Sequence, residues 1–287
     1  PLLSIIVNAK NLILIMMRFG GIWMSTYSLE HKLFLRKRRK NKILVIFFQI
    51  LIFLSFIVIW EMCARAGIIN TFLSSSPTKV VETFSNLLKT NNLWSHVWVT
   101  VYETIISFLL ASLIGFIIAS ILWWNKIVAK IIDPYLTILN SLPKVALGPL
   151  IIIWVGANMN SIIFMALLIS TFITIINIYQ GFMSTDLYFI TLMRTFNAKK
   201  HQIFIKLIVP SNKNNIINCL KVNISMSLIG VIMGELLVSK EGLGYLIMYG
   251  SQVFNINLVI TSVVILAIVS YIMYAIISFI EKRTVKN

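Results

Sequence analysis

Two carboxylates, Glu103 and Glu235, lie in segments that are otherwise strongly apolar. A charged side chain at the centre of a bilayer costs about 2.5–3.5 kcal/mol on insertion scales, so such residues often mark ion or proton pathways. We expect both near helix ends, where water or lipid headgroups reduce that cost. An ion-gradient-driven transporter would need paired acids at mid-membrane and inverted repeats. We find neither pattern in the sequence.

The sequence shows no grouping of residues typical of a metal site, a phosphate-binding loop, a catalytic nucleophile or a disulfide framework. The histidines His31, His96 and His201 are scattered, and no His, Cys and carboxylate cluster has metal-ligand spacing. The phosphate-binding pattern G-x-x-x-x-G-K-S/T and a nucleophile elbow are both absent. Cys63 and Cys219 fit neither a CxxC motif nor a disulfide scaffold. An intramembrane enzyme is therefore disfavoured, and we expect no cofactor, metal or bound ATP on this chain.

The composition is that of an integral membrane protein. Of the 287 residues, 59% are hydrophobic and only 12% are charged, and the mean hydropathy is +0.91, which lies outside the usual range of soluble domains. The formal charge of +16 is spread over short segments between apolar runs. Lys and Arg are enriched in cytoplasmic loops of membrane proteins, which explains the charge without a nucleic-acid partner.

Six apolar stretches are long enough to cross a membrane. A transmembrane helix needs about 20 such residues, and we predict spans at residues 43–60, 105–124, 136–155, 162–179, 216–238 and 258–280. The third contains Lys144 and the fifth contains Lys221, and we expect both side chains to extend back toward the cytoplasm. The predicted fold class is an all-α membrane protein with about six transmembrane helices.

The distribution of positive charge predicts that both chain ends face the cytoplasm. The densest basic run, residues 31–42, precedes the first span, and most other Lys and Arg fall on the same side when the spans are counted. The opposite side receives only Arg65, Lys79, Lys89 and Lys240. We interpret the basic run as a topology signal; a specific lipid-binding or regulatory role is the alternative.

Three segments are predicted along the chain. Residues 1–23 are interpreted as a non-native or upstream-translated segment, because Gly20-Gly21 can encode a ribosome-binding element just upstream of Met24. Residues 24–42 are predicted to form a basic cytoplasmic N-terminus. Residues 43–287 are predicted to form the six-helix transmembrane domain.

The segment from Asp186 to Asn215, between spans four and five, is too long to be a simple turn. Its apolar residues recur at helical spacing on both sides of Asn197, and Asn tolerates the left-handed conformation that ends many helices. We therefore predict a helix, an Asn-led turn and a second helix, which Pro210 ends near Val209. A helix pair that lies on the inner membrane surface is the alternative.

This segment resembles the cytoplasmic signature of inner-membrane permease subunits of binding-protein-dependent ABC importers. That signature reads E-A-A, three residues, Gly, nine residues and I-x-L-P. Here residues 191–193 occupy the E-A-A positions, Asn197 the Gly position and residues 207–210 the I-x-L-P positions. The resemblance implies a coupling-helix loop that docks on a separate ATPase. The coupling residues it implies are Thr191, Leu192, Met193, Phe196, Asn197, Ala198, Phe204, Leu207 and Pro210.

The chain from about residue 45 onward is similar to the nitrate, sulfonate and taurine branch of that family. Residues 73–80 resemble its SP-x-x-V element, residues 133–150 its proline-broken third span, and residues 235–247 its A-E-x-x…GLGYLI segment. Glu103 stands where the branch more often has Arg. We expect local charge compensation as the reason, with substrate selectivity as the alternative.

The same resemblance implies pathway or gate positions at Pro143, Pro149, Glu235, Gly242 and Gly244. Prolines within a span are tolerated where the helix faces protein or a water-lined cavity; a kinked packing helix is the alternative. Glu235 is interpreted either as a structural or gating acid near the external face or as a plain interfacial residue. The two glycines permit a reversal before a short external helix at residues 245–253, which lies over the pathway or rests inertly at the interface.

The resemblance implies a permease subunit of the bacterial cytoplasmic membrane that forms half of a solute pathway. Its expected partners are an ABC ATPase subunit, an extracytoplasmic solute-binding protein, a second permease copy in a homodimer, and the lipid bilayer. ATP hydrolysis is expected on the separate ATPase chain, so this chain is not expected to be an enzyme. An ion-gradient-driven secondary transporter is the alternative.

Overall fold

The computed structural model describes residues 38, 40–90 and 92–285, and its regular elements there are all helical. The segment 1–23 and almost all of the basic segment 24–42 lie outside the described residues, so both remain predictions. The helices are α1 Lys40–Arg65, α2 Thr71–Ser74, α3 Pro77–Lys89, α4 Asn92–Trp124, α5 Lys126–Ser141, α6 Gly148–Val155, α7 Met159–Met183, α8 Leu187–Thr195, α9 Lys200–Ile203, α10 Val209–Ser211, α11 Lys213–Val238, α12 Leu243–Gln252 and α13 Ile256–Val285.

Five of these helices are long and apolar enough to cross a membrane: α1, α4, α7, α11 and α13. They contain the first, second, fourth, fifth and sixth predicted spans, so the predicted all-α membrane fold is confirmed. The chain divides into two units, residues 1–68 and residues 69–287. Helix α1 belongs to the first unit, and α2–α13 belong to the second.

The third predicted span is not one continuous helix. Helix α5 begins at Lys126, ten residues before the predicted start, and a bend of 83° separates it from the segment Lys144–Val155. Leu142 is extended, with φ −62° and ψ 141°, because a residue that precedes proline is disfavoured in the α conformation. Pro149 lies in the first turn of α6, where its missing N–H needs no partner. One proline therefore helps to end a helix, and the other begins one.

Two lysines inside predicted spans have partners within the protein, while the direction in which they extend relative to the membrane stays a prediction. Lys144 stands at the bend, and its Nζ donates to the carbonyl oxygen of Asn140 at 3.3 Å and to its Oδ1 at 3.1 Å. Lys221 on α11 forms an ion pair with Glu281 on α13. The charge of Lys221 is thus neutralised by a carboxylate, whereas Lys144 is held by two neutral oxygens. The prediction that they extend toward the cytoplasm missed these partners because they are not visible in apolar spacing.

Helix α7 packs between α4 and α11 in the centre of the second unit. Gly230 and Gly234 of α11 face α7: a Cβ atom on Gly230 would overlap Ala166, and one on Gly234 would lie 2.9 Å from the Cα of Ile162. Small residues four apart allow such close backbone approach between membrane helices. Helix α11 is therefore held tightly on α7 along this stretch.

Two groups of short helices lie at opposite ends of α11. The segment α8–α10 precedes the start of α11 and packs on the ends of α4 and α7. Helix α12 follows the end of α11 and packs near the beginning of α4. We call residues 187–211 the hairpin. The end of the helix bundle at which α12 follows α11 is called the α12 end.

Candidate functional site

The first helix of the hairpin ends in a Schellman motif. Asn197 has φ +60°, the N–H of Asn197 donates to the carbonyl of Arg194 at 2.9 Å, and the N–H of Ala198 donates to the carbonyl of Met193 at 3.1 Å. These are the two bonds that close a helix through a left-handed residue. The predicted helix, Asn-led turn and second helix are confirmed.

The second helix of the hairpin does not end near Val209, as predicted from Pro210. A π-helical turn at Phe204–Ile208 follows α9, and the chain continues through α10 to Ser211. The N–H of Val209 donates back to the carbonyl of Phe204, and Pro210 lies in the first turn of α10. The wider turn accommodates the proline ring. The N–H that proline lacks would have no acceptor in the first turn of a helix, so its loss costs little. The predicted end near Val209 is therefore wrong.

Phe204 anchors the hairpin to the transmembrane bundle. Its ring centroid lies 4.9 Å from that of Trp123, 5.4 Å from that of Phe182 and 6.1 Å from that of Trp124. These rings belong to the ends of α4 and α7. Lys200 strengthens the attachment, because its Nζ donates to the carbonyl oxygen of Trp124 and lies 5.8 Å from the Trp123 ring centroid. Sequence reasoning missed Trp123 and Phe182, which come from distant segments.

The nine predicted coupling residues divide between two faces. Four pack into the apolar cluster beneath the hairpin: Met193, Ala198, Phe204 and Leu207. Five are exposed: Thr191, Leu192, Phe196, Asn197 and Pro210. Phe196 is 75% exposed and immediately precedes the left-handed turn residue. An aromatic side chain held at the tip of a rigid turn is suited to contact with another protein.

Glu235 holds the N-terminus of α12 at the other end of the bundle. Its Oε2 accepts the N–H of Gly244 at 2.6 Å, and its Oε1 accepts the hydroxyl of Thr100 at 2.6 Å. The hydroxyl oxygen of Thr100 in turn accepts the N–H of Leu243 at 2.8 Å. A helix N-terminus presents N–H groups without intrahelical partners and favours a carboxyl group. Glu235 and Thr100 together satisfy two of these donors.

Gly242 allows α12 to approach Glu235 closely. Its φ is +112°, and its N–H donates to Nδ1 of His96 at 3.0 Å. A Cβ atom on Gly242 would overlap the carboxyl group of Glu235, and one on Gly244 would lie 2.7 Å from the Cβ of Glu235. Both positions therefore need glycine. The predicted reversal and short helix are present, with α12 at Leu243–Gln252, and an external position of this helix stays a prediction. Its partners Thr100 and His96 were not predicted from the sequence.

Glu103 and Glu235 form a buried pair. Glu103 is 2% exposed and Glu235 is 1% exposed. Thr100, whose hydroxyl donates to Glu235, precedes Glu103 by three residues on α4, so Glu103 shares the helix face that meets Glu235. Glu235 lies near the end of its helix, as expected, but the expectation that water or headgroups reach both residues is wrong, because both side chains are buried in the protein. The two residues lie on different helices, so no local pattern in the sequence could show their contact.

The bend between α5 and α6 lies near the same end of the bundle. Gly148, beside Pro149, is in contact range of Leu237 on the last turn of α11. Pro143 lies at the other side of the short 3₁₀ turn Lys144–Leu147. Among the predicted pathway residues, Glu235, Gly242 and Gly244 therefore form one cluster, and Pro149 lies beside the helix turn that carries Glu235.

Comparison with known proteins extends these observations. Residues 111–286 match the family described as binding-protein-dependent transport system inner membrane component. The chain is 27% identical over 230 residues to the putative aliphatic sulfonates transport permease protein SsuC of Bacillus subtilis, covering 80% of this chain and 83% of that protein. It is 31% identical over 195 residues to the formylaminopyrimidine transport permease protein ThiX of Halalkalibacterium halodurans, covering 68% of this chain and 77% of that protein.

A solved structure shares the fold. A chain of the methionine ABC transporter MetNI, determined in inward-facing conformations, superposes with a TM-score of 0.58 at 19% identity, covering 67% of this chain and 93% of that chain. The family match spans the second half of α4 through α13, including the hairpin and Glu235. The chain thus belongs to the inner-membrane components of binding-protein-dependent transport systems, the permease subunits of ABC importers.

Proposed function

We propose that this permease subunit forms half of a solute pathway and is driven by a separate ATPase that docks on the exposed face of the hairpin. Membership of the family implies an ATPase partner and a substrate-binding protein. The position of the ATPase contact is our inference. The observation that carries it is the division of the hairpin into an anchored face and a free face.

The anchored face provides the mechanical link. Phe204 and its ring partners join the hairpin to α4 and α7, and only Asn212 separates α10 from α11. A force applied at Phe196 would therefore reach three helices without passing through a flexible linker. Packed elements of this kind transmit displacement as rigid bodies.

Charge supports a cytoplasmic hairpin. It contains Arg194, Lys199, Lys200 and Lys206 and no acidic residue between 187 and 211. Lys and Arg accumulate on the cytoplasmic side of membrane proteins. If the bent pair α5–α6 counts as one crossing, the chain crosses six times, which would place both termini on that side.

The assembly and cargo follow from the same proposal. A second permease copy, in a homodimer, would supply the other half of the pathway. An extracytoplasmic binding protein would deliver the solute at the α12 end. The relatives' names mention aliphatic sulfonates and formylaminopyrimidine, so we propose a small polar solute whose identity is set by the binding protein.

Co-purification of the full-length permease with its ATPase tests the docking site. Phe196→Asp should reduce the retained ATPase by about 30-fold, the effect of losing an aromatic residue that dominates an interface. Phe254→Asp is the matched control, because Phe254 is 73% exposed and Phe196 is 75% exposed, but Phe254 lies at the α12 end. It should retain the ATPase.

Two results would contradict the proposal. One is full retention of the ATPase by the Phe196→Asp variant while its helical content and detergent stability match the wild type. The other is solute uptake that continues in cells lacking any partner ATPase, which would favour an ion-gradient-driven transporter. Phe204 is unsuitable for this test, because its replacement would loosen the hairpin itself.

A further inference from the structure

We propose that Glu103 and Glu235 form a proton-binding site, and that the proton they share keeps α12 closed on the bundle. The site lies at the opposite end from the hairpin, and the inference does not depend on where the ATPase docks. Glu103 also lies outside the residues that match the family.

The contact itself requires a proton. Glu103 lies one helical turn from Thr100 on α4, and Thr100 donates to Glu235, so the two carboxyl groups are neighbours. Both residues are almost fully buried. Two negative charges in contact and away from water would repel each other strongly. The pair therefore holds one proton and one negative charge.

The surrounding groups indicate which residue carries the proton. Glu235 accepts from the N–H of Gly244 and from the hydroxyl of Thr100, and two donors of this kind suit a carboxylate. Glu103 Oε2 is buried without a hydrogen-bond partner among the described residues. An oxygen of that kind suits a neutral carboxylic acid. The proton is therefore assigned to Glu103, and the negative charge to Glu235.

A second polar atom lies next to the pair with unused hydrogen-bonding capacity. The hydroxyl of Ser107 is fully buried and also lacks a partner within the described part of the chain. Ser107 follows Glu103 by four residues on α4, so the two share one face of that helix. Because Glu103 Oε2 and the Ser107 hydroxyl have no such partners to lose, the side chains here can rearrange when the proton leaves.

Other charged groups do not compensate the pair. In the described chain neither Glu103 nor Glu235 forms an ion pair, and α7 contains no Asp, Glu, His, Lys or Arg. Lys221 is fourteen residues from Glu235 along α11 and is paired with Glu281. The other titratable or charged side chains on α4, α7 and α11 are His96, Tyr102, Tyr179, Lys213, Cys219 and Lys221. Those on α12 and α13 are Tyr245, Tyr249, Tyr271, Tyr274, Glu281, Lys282 and Arg283, and Lys240 and Glu241 lie between α11 and α12.

His96 acts on the same helix terminus as the pair. Its Nδ1 accepts the N–H of Gly242, so that nitrogen carries no proton. Its ring stacks on Tyr245 with centroids 5.9 Å apart. Protonation of Nδ1 in acid would remove one of the three bonds that hold α12. Alkaline pH would weaken the hold on α12 through the carboxyl pair, and acid pH would weaken it through His96. Measurements at both extremes of pH therefore separate the two effects.

Loss of the shared proton would release α12. When Glu103 gives its proton to water, the contact between one neutral and one charged carboxyl group becomes a contact between two carboxylates, which repel each other. Glu235 then moves away, and its bonds to Gly244 and Thr100 break. The hydroxyl of Thr100 is then no longer held by Glu235, which weakens its hydrogen bond from the N–H of Leu243. Alkaline conditions should therefore open the α12 end.

Infrared spectroscopy of the full-length protein in lipid nanodiscs tests the proton directly. Wild type grown with ¹³C-glutamate should show a protonated-carboxyl band that shifts with the label and in heavy water. Glu103→Gln, which keeps a neutral donor at this position, should abolish the band. Glu82→Gln, at an exposed carboxyl on α3, should leave it unchanged.

Hydrogen exchange of α12 tests the coupling. Above neutral pH, after correction against an unstructured peptide, α12 of the wild type should exchange about tenfold faster or more as the infrared band disappears. Glu103→Gln should keep α12 protected over that range.

Three results would overturn the inference. The first is the absence of a ¹³C-sensitive protonated-carboxyl band in the wild type, a result that needs no variant to fold. The second is a band that titrates without any change in α12 exchange. The third is loss of the band when Na⁺ or K⁺ is added at constant pH, because the pair would then bind a metal cation.

Discussion

Replacement of Gly242 by alanine should detach α12 from the bundle. Gly242 has φ +112° and ψ 167°, a conformation that is essentially restricted to glycine. The added Cβ would also overlap the carboxyl group of Glu235. The substitution therefore strains the backbone and displaces the acceptor that holds Gly244.

The expected cost comes from these two effects. Backbone strain of this kind costs about 1–3 kcal/mol, and loss of a hydrogen bond to a charged acceptor costs about 1.5–3 kcal/mol. Part of the strain would be relieved when α12 moves, so we expect about 2–4 kcal/mol. The equilibrium between closed and open α12 should shift by about 30- to 1,000-fold.

Hydrogen exchange of α12, measured by mass spectrometry in nanodiscs, reports this equilibrium. Gly67→Ala is the matched control, because Gly67 has φ +72° but nothing lies within 4 Å of its added Cβ. It should change exchange only near residue 67. The reasoning is refuted if α12 of Gly242→Ala stays as protected as in the wild type, since Glu235 would then not be the group that holds it.

Two further predictions concern the hairpin and an ion pair. Asn197→Ala should destabilise the hairpin by about 1 kcal/mol, because alanine lacks the short polar side chain that lets asparagine adopt the left-handed conformation. Asn197→Gly should be neutral or stabilising, because glycine has no Cβ. Hydrogen exchange of α8 distinguishes the two, and equal effects would contradict the assigned turn. Removing Lys221 or Glu281 alone should cost more than replacing both by apolar residues, with a coupling of about 1–3 kcal/mol in a double-mutant cycle of unfolding stability. A coupling near zero would show that the ion pair contributes nothing.

The hairpin was predictable because its signals are local. Asn197 stands between two runs with helical spacing, and a Schellman turn depends only on residues within one helical turn. The π-helical turn at Phe204–Ile208 was missed, since its bonds skip one residue more than an α-helix and leave the apolar spacing nearly unchanged. The early start of α5 was missed because Lys130 and Asp133 interrupt its apolar run.

The network at the α12 end could be predicted only in part. The glycines at 242 and 244 indicated a reversal, but the reason for them is a carboxyl group on another helix. Thr100 and Glu235 are 135 residues apart in the chain. Contacts of this kind depend on how α4, α7 and α11 pack, and that packing is set by many small contacts rather than by one motif.

Helix α11 joins the two sites into one mechanical unit. It has 26 residues, about 39 Å of helix at 1.5 Å per residue, and contains no proline. Only Asn212 separates it from the hairpin, and it carries Glu235 near its end. Because Gly230 and Gly234 bring it against α7, bending α11 in place would require repacking that interface. We therefore expect a displacement of the hairpin to move Glu235, so that the carboxyl pair and α12 respond to events at the opposite end of the bundle.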